Sequence, residues 1–238
     1  MNKILYSHGD SVVWGAELEN KETERFSYHI AQQNGWIDCN NASAGVSNDY
    51  IYRQTMRDVS HWVENGVIWS EENGWVKSND LYVTIGWTSP TRFEWWTGEK
   101  YQQERLWVGY DKWGENDKDR STEDEFVLNQ TEDIPSYIRT FNHIIGLSAF
   151  LHTLAIPHHF FNTFYEYNIP KEPSNLIDAY GRPTHQTDLN SLWQRLPLSF
   201  KNDTMYSYIK ENGGELLPRN HPTKESHEIW ANYYKTII

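Results

Sequence analysis

Short apolar runs of strand length alternate with longer helix-like segments along this chain, and that alternation constrains the fold more than any other feature. Residues 3–6, 36–39, 81–85 and 159–164 read as strands. Between and after them, residues 22–34, 48–64, 134–154, 203–211 and 224–235 read as helices. Gly35 and Asn65-Gly66 terminate two of these, and Asn48 is the expected cap of one. In the helix over 48–64, Ile51, Thr55, Val59, Trp62 and Val63 fall near one face. Strand–helix alternation of this kind implies a mostly parallel sheet covered by helices on both faces, a three-layer α/β/α sandwich. The 238 residues suffice for one sizeable core, so a single domain over 1–238 is expected. A charged, weakly periodic insertion at about 95–133 and a proline-rich connection at 166–195 interrupt the pattern.

Ligands of such sheets bind beyond the carboxyl ends of the strands, so the residues that follow each strand are the ones to read. After the first strand comes Ser7-His8-Gly9-Asp10-Ser11-Val12-Val13-Trp14-Gly15. Gly9 permits a sharp exit, and Asp10 and Ser11 are good N-cap residues, so Ser11 stands between a strand end and a helix start. Backbone N–H groups there favour a developing anion, which suits a nucleophilic serine. After the second strand, Asn40 to Asn48 is a run of small and polar residues containing Gly45. After the third comes Gly86-Trp87-Thr88-Ser89-Pro90-Thr91-Arg92, and near the carboxyl end stands Asn220-His221-Pro222-Thr223.

Taken in order, these blocks resemble the SGNH (GDSL-like) hydrolase family, in the manner of its divergent members from tailed bacteriophages. The resemblance implies a flavodoxin-like three-layer fold, Ser11 as nucleophile and His221 as its base. It also implies an oxyanion hole from the Ser11 and Gly45 N–H groups. The family's third block carries an asparagine where this chain has Thr88, whose hydroxyl is the expected substitute donor. Its last block carries an aspartate three residues before the histidine, where this chain has Pro218. A Ser–His dyad, or an orienting group from elsewhere such as Glu215 or a backbone carbonyl, would then serve.

Other histidines read as structural. His227 falls inside the last helix, His158 and His159 open the fourth strand, and His8 lies in the first, within approach of the site. No metal site is assigned and no cofactor is called for. The single Cys39 excludes an intrachain disulfide framework. A net charge of -12 argues against a nucleic-acid partner, which needs a basic face. No apolar segment reaches the length of a membrane span and no secretory leader is visible, so a cytoplasmic or virion-associated location is expected.

Twelve tryptophans and 15 tyrosines are the remaining signal. Their rings suit stacking on sugars, and a cluster at Trp87, Trp95, Trp96, Tyr101, Trp107, Tyr110 and Trp113 is the expected substrate wall, with Arg92 beside it for an anionic group. Together these point to hydrolysis of an acyl ester on a carbohydrate or other small ester. The rival readings are a non-catalytic carbohydrate-binding or virion structural module that keeps the fold, and an acyltransferase using the same serine and histidine. The sequence does not set an oligomeric state.

Overall fold

A computed structural model describes residues 3–96, 101–104, 133–164, 167, 186–202 and 204–238. Its centre is a four-stranded, wholly parallel sheet of β1 (Ile4–Gly9), β2 (Ile37–Asn40), β5 (Leu81–Trp87) and β8 (His158–Asn162), ordered β2-β1-β5-β8. Two antiparallel hairpins, β3–β4 (Val67–Ser70, Gly74–Lys77) and β6–β7 (Phe93–Trp96, Tyr101–Glu104), lie outside it.

Alternating side chains divide the sheet between two cores, as strand pleating requires. Ile4, Tyr6, Val83, Ile85 and Phe160 face one; there they meet α4 (Asn48–Asn65) through Ile51 and Val59, and α5 (Asp133–Thr153) through Phe141, Ile144 and Leu147. Leu5, Tyr82 and Phe161 face the other. They meet α3 (Phe26–Asn34) and α9 (Lys224–Tyr234) through Phe26, Ile30, Trp230 and Tyr234. The expected three-layer α/β/α sandwich is the observed fold. Among the described residues, no helix is long and apolar enough to cross a membrane.

Several local expectations differ from the structure for identifiable reasons. The helix expected over 22–34 is two, α2 (Lys21–Glu24) and α3, because Arg25 between them is extended (φ -75°, ψ 154°). Its buried guanidinium instead reaches Asp38 on β2 at 2.9 Å and Glu72 at 2.7 Å. Ser47, not Asn48, caps α4 by accepting the Tyr50 N–H. Asn48 is buried and clamps the backbone of Thr88 from both sides, accepting its N–H and donating to its carbonyl. The β3–β4 hairpin, α6 (Gln186–Arg195) and α7 (Leu198–Asn202) have no counterpart in the sequence reading. Most of the insertion falls outside the described residues; β6, which leads into it, is fixed to α4 by a two-pronged Arg53–Glu94 pair at 2.9 and 3.1 Å.

Candidate active site

The chain leaves β1 for β2 on one side and returns across it to β5 on the other. The crevice above the β1/β5 boundary is therefore the switch point of the sheet. Gly9 and Gly86 are paired across that boundary. A Cβ on Gly9 would lie 2.4 Å from Val13 Cγ2 and 2.7 Å from the Gly86 carbonyl; one on Gly86 would lie 2.5 Å from the same methyl. Two glycines thus let Val13 sit directly on the strand ends, which seats the single turn α1 (Ser11–Trp14) over the crevice. Asp10 caps that turn with Oδ1 on the Val12 N–H, while its Oδ2 accepts from the Thr163 hydroxyl at 3.0 Å. Gly15 ends it in the left-handed region (φ 82°). One turn has little macrodipole, so the free N–H at its start, rather than a long helix, is the local electropositive group.

The loop after α1 folds back at once: the Ala16 N–H donates to the Ser11 carbonyl at 2.9 Å. The next residue, Glu17, holds φ at 68°, an uncommon conformation for a residue with a Cβ. On the far side of the site, residues 217–221 form a tight loop between α8 (Met205–Glu211) and α9. The Leu217 N–H donates to the His221 carbonyl at 2.6 Å and the Asn220 N–H to the Leu217 carbonyl at 2.8 Å. Asn220 holds φ at 64°. Among the described residues, three without a glycine's freedom have positive φ, and two of them, Glu17 and Asn220, flank this site. Strained backbone concentrates where side-chain placement is demanding.

These two loops bring three side chains into line. Ser11 Oγ is 3.0 Å from His221 Nε2, and His221 Nδ1 is 2.7 Å from Glu17 Oε2. The imidazole and carboxylate are about one-fifth exposed, at 18 and 22 %. With Nδ1–H donated to the carboxylate, Nε2 carries its lone pair toward the serine hydroxyl. A hydroxyl, a base and a carboxylate that orients the base are the parts of a nucleophilic relay. The carboxylate comes from Glu17 and not from Glu215. Glu215 is exposed, and its backbone is spent on Ser226 and Thr223 below the His221 loop.

The remaining sequence-selected residues divide. Gly45 lies in the loop after β2 with φ 73°, and the Ser43 N–H of that loop bonds to the Gly9 carbonyl at 3.1 Å, which ties it to the β1 exit. Thr88 is fully buried; its N–H is taken by Asn48, and its hydroxyl oxygen accepts from Arg92 Nη1 at 2.8 Å. The same Arg92 nitrogen is 3.8 Å from Asp10 Oδ2, so this cation braces the serine turn. Trp87 is not a wall of the site. It is fully buried within the core, its ring edge-on to Phe160, because β5 continues through Gly86 rather than ending there. Trp95 and Trp96 belong to β6 and Tyr101 to β7, and their side chains, like Trp107, Tyr110 and Trp113, lie outside the described residues.

The other histidines stay out of the relay. His8 is buried with its ring 5.7 Å from Tyr50, and burial, with the Arg57 charge, lowers its pKa to about 3. His227 is buried and stacked on Phe26, accepts the Phe26 N–H at Nδ1, and is likewise lowered to about 3, mainly by burial. His158 bonds to Ser148 and to the Ile156 carbonyl.

The chain belongs to DUF6071, a family of unknown function whose model matches residues 17–237. Among curated proteins, none matches this sequence. Solved structures similar to it include a protein assigned to the lipolytic G-D-S-L family from Desulfitobacterium hafniense, at 12 % identity and TM-score 0.49, covering 100 % of both chains. A member of the lipolytic G-D-S-L family from Veillonella parvula is similar at 9 % identity and TM-score 0.47, covering 99 % of this chain and 98 % of that one. A carbohydrate esterase family 2 enzyme with a carbohydrate-binding domain, from Corynascus thermopiles, is similar at 12 % identity and TM-score 0.47, covering 99 % and 66 %.

Proposed function

We propose that this member of DUF6071 is a serine-dependent ester hydrolase of the SGNH type, removing acyl groups from a carbohydrate. The observation that carries the reading is the line Ser11 Oγ–His221 Nε2–Glu17 Oε2, with steps of 3.0 and 2.7 Å between residues some two hundred positions apart. Nothing in the packing of a core requires a part-exposed serine, histidine and glutamate to align, and Glu17 does so from a backbone conformation uncommon for a residue with a Cβ.

The chemistry follows from the geometry. Ser11 Oγ attacks the ester carbonyl carbon as its proton passes to His221 Nε2. Glu17 holds the ring and balances the imidazolium charge. The carbonyl oxygen becomes an oxyanion, stabilised by the Ser11 and Gly45 N–H groups. Its collapse breaks the bond to the alcohol, which leaves with the proton from Nε2, and the acyl group stays on Ser11. Water, deprotonated by the same nitrogen, then releases the acid and restores the serine. Thr88 is assigned the task of holding Arg92 beside the serine turn rather than a direct oxyanion contact.

Hydrolysis of p-nitrophenyl acetate tests the reading. Turnover by the folded protein that disappears in Ser11→Ala and in His221→Ala is the expected result, because residues of one relay fail together. Turnover no greater than that of Ser11→Ala would overturn it. A second reading, a binding module that keeps the fold without the chemistry, draws on one observation. The position that supplies an asparagine donor in SGNH enzymes holds a buried threonine here, already engaged by Arg92. The absence of turnover with ligand binding retained would favour it.

A further inference from the structure

The hairpin β3–β4 carries two exposed tryptophans. Trp69 and Trp75 are register partners across its strands, so their side chains leave the same face of the hairpin. They are 47 and 61 % exposed, while Ile68 and Ser70 on the opposite face of β3 are buried. Two exposed indoles on one face form an apolar patch of the kind that marks interaction surfaces. His61 on α4 braces Trp75, ring centroids 4.9 Å apart.

Both rings line a cleft of about 780 Å³. Trp14 and residues 40–43, the start of the loop that carries Gly45, line it as well, and Asn41 Nδ2 donates to the Trp69 carbonyl at 2.8 Å. This part of the lining touches the proposed catalytic turn directly. Trp14 is the last residue of α1, Asn40 Nδ2 donates to the Val13 carbonyl at 2.9 Å, and the Ser43 N–H donates to the Gly9 carbonyl. The cleft therefore adjoins the turn that carries Ser11, through Trp14 at the end of that turn.

Among the described residues its one cation, Arg57, is paired. Asp58 accepts from Tyr6, Asn41 and Gln54 at 2.9–3.1 Å and pairs with Arg57 at 3.4 Å. With Glu71 also on the cleft and a chain charge of -12, a polyanion is disfavoured. Flat aromatic faces with no unopposed cation match pyranose rings: C–H faces for the indoles, and hydroxyls for the polar side chains of Ser43, Tyr50 and Glu71 that also line the cleft.

We propose that this cleft binds a neutral oligosaccharide, its sugar rings stacked on Trp69 and Trp75 and its acylated end directed to Ser11. The proposal rests on the ester-hydrolase reading for what happens at Ser11, but the binding stands apart from it. The test is calorimetric titration of folded Ser11→Ala protein, which binds without turnover, with xylopentaose, mannopentaose and chitopentaose. At least one of the three binds, and adding Trp69→Ala or Trp75→Ala weakens it by about tenfold or more, whereas Trp→Phe at either site retains part of the affinity. Val63→Ala, an exposed apolar change on α4 outside the cleft, binds like the parent. No binding of any of the three at millimolar concentration, or binding indifferent to both tryptophan changes, overturns the proposal. Failure here with p-nitrophenyl acetate turnover intact removes the cleft alone; glycan binding without turnover upholds the cleft and removes the hydrolase.

Discussion

Glu17 is the residue on which the proposed relay differs from the expected pattern, and replacing it probes the chemistry without touching the proposed nucleophile. Its carboxylate lies 2.7 Å from His221 Nδ1 in a site that is about one-fifth exposed. An ion pair with charges about 4 Å apart is worth ~1 kcal/mol in water and ~4 kcal/mol at a protein-surface dielectric. Partial exposure places the loss in Glu17→Ala near 2 kcal/mol, roughly a thirtyfold fall in kcat/KM. Glu17→Gln is more damaging. An amide can donate to Nδ1, which holds the ring with Nε2 protonated and unable to accept from Ser11. Steady-state hydrolysis of p-nitrophenyl acetate by the two variants, with circular dichroism to verify folding, provides the measurement. Glu215→Gln serves as the control and keeps parental rates, since that side chain is exposed and away from the relay. Rates within threefold of the parent for both Glu17 variants would refute the orienting role and leave at most a Ser–His dyad.

Gly86→Ala should destabilise the fold by about 1–3 kcal/mol in urea denaturation, because the new methyl would meet Val13, Thr163 and Phe161 at 2.5–2.9 Å; an unchanged midpoint would contradict the seating of α1 on the strand ends. Acid should also destabilise the protein. His8 and His227 have folded pKa values lowered to about 3 from 6.5, so between those values the unfolded chain binds protons that the folded one refuses. Their contribution is therefore complete above pH 6.5 and lost as the pH falls, about 2 kcal/mol for each histidine at pH 5, and urea midpoints that do not move between pH 7 and 5 would refute it.

The strand–helix alternation made the central sheet legible in the sequence, as each parallel strand is a short apolar run with a helix behind it. Hairpin β3–β4 was not legible. Its strands are only four residues long, and Trp69 and Trp75 face outward, so no buried apolar run marks them. The serine and the histidine could be picked out because each sits in a local motif, beside a strand exit or before a capped helix. Glu17 sits in none: it reaches His221 only because α1 is a single turn ended by Gly15 and followed by a left-handed backbone, features that depend on tertiary packing. Trp87 was misplaced because Gly86 was read as the end of β5. The glycine there answers a close approach by Val13, and the strand continues beneath it.

Covalent labelling by a fluorophosphonate tests the central claim most directly, since phosphonylation requires an activated serine hydroxyl beside groups that stabilise an oxyanion. Peptide mass mapping of the folded, labelled protein should place a single adduct on Ser11. The adduct should be absent in Ser11→Ala and strongly diminished in His221→Ala. A folded protein that takes up no label, or takes it up equally when Ser11 is replaced, would contradict the account.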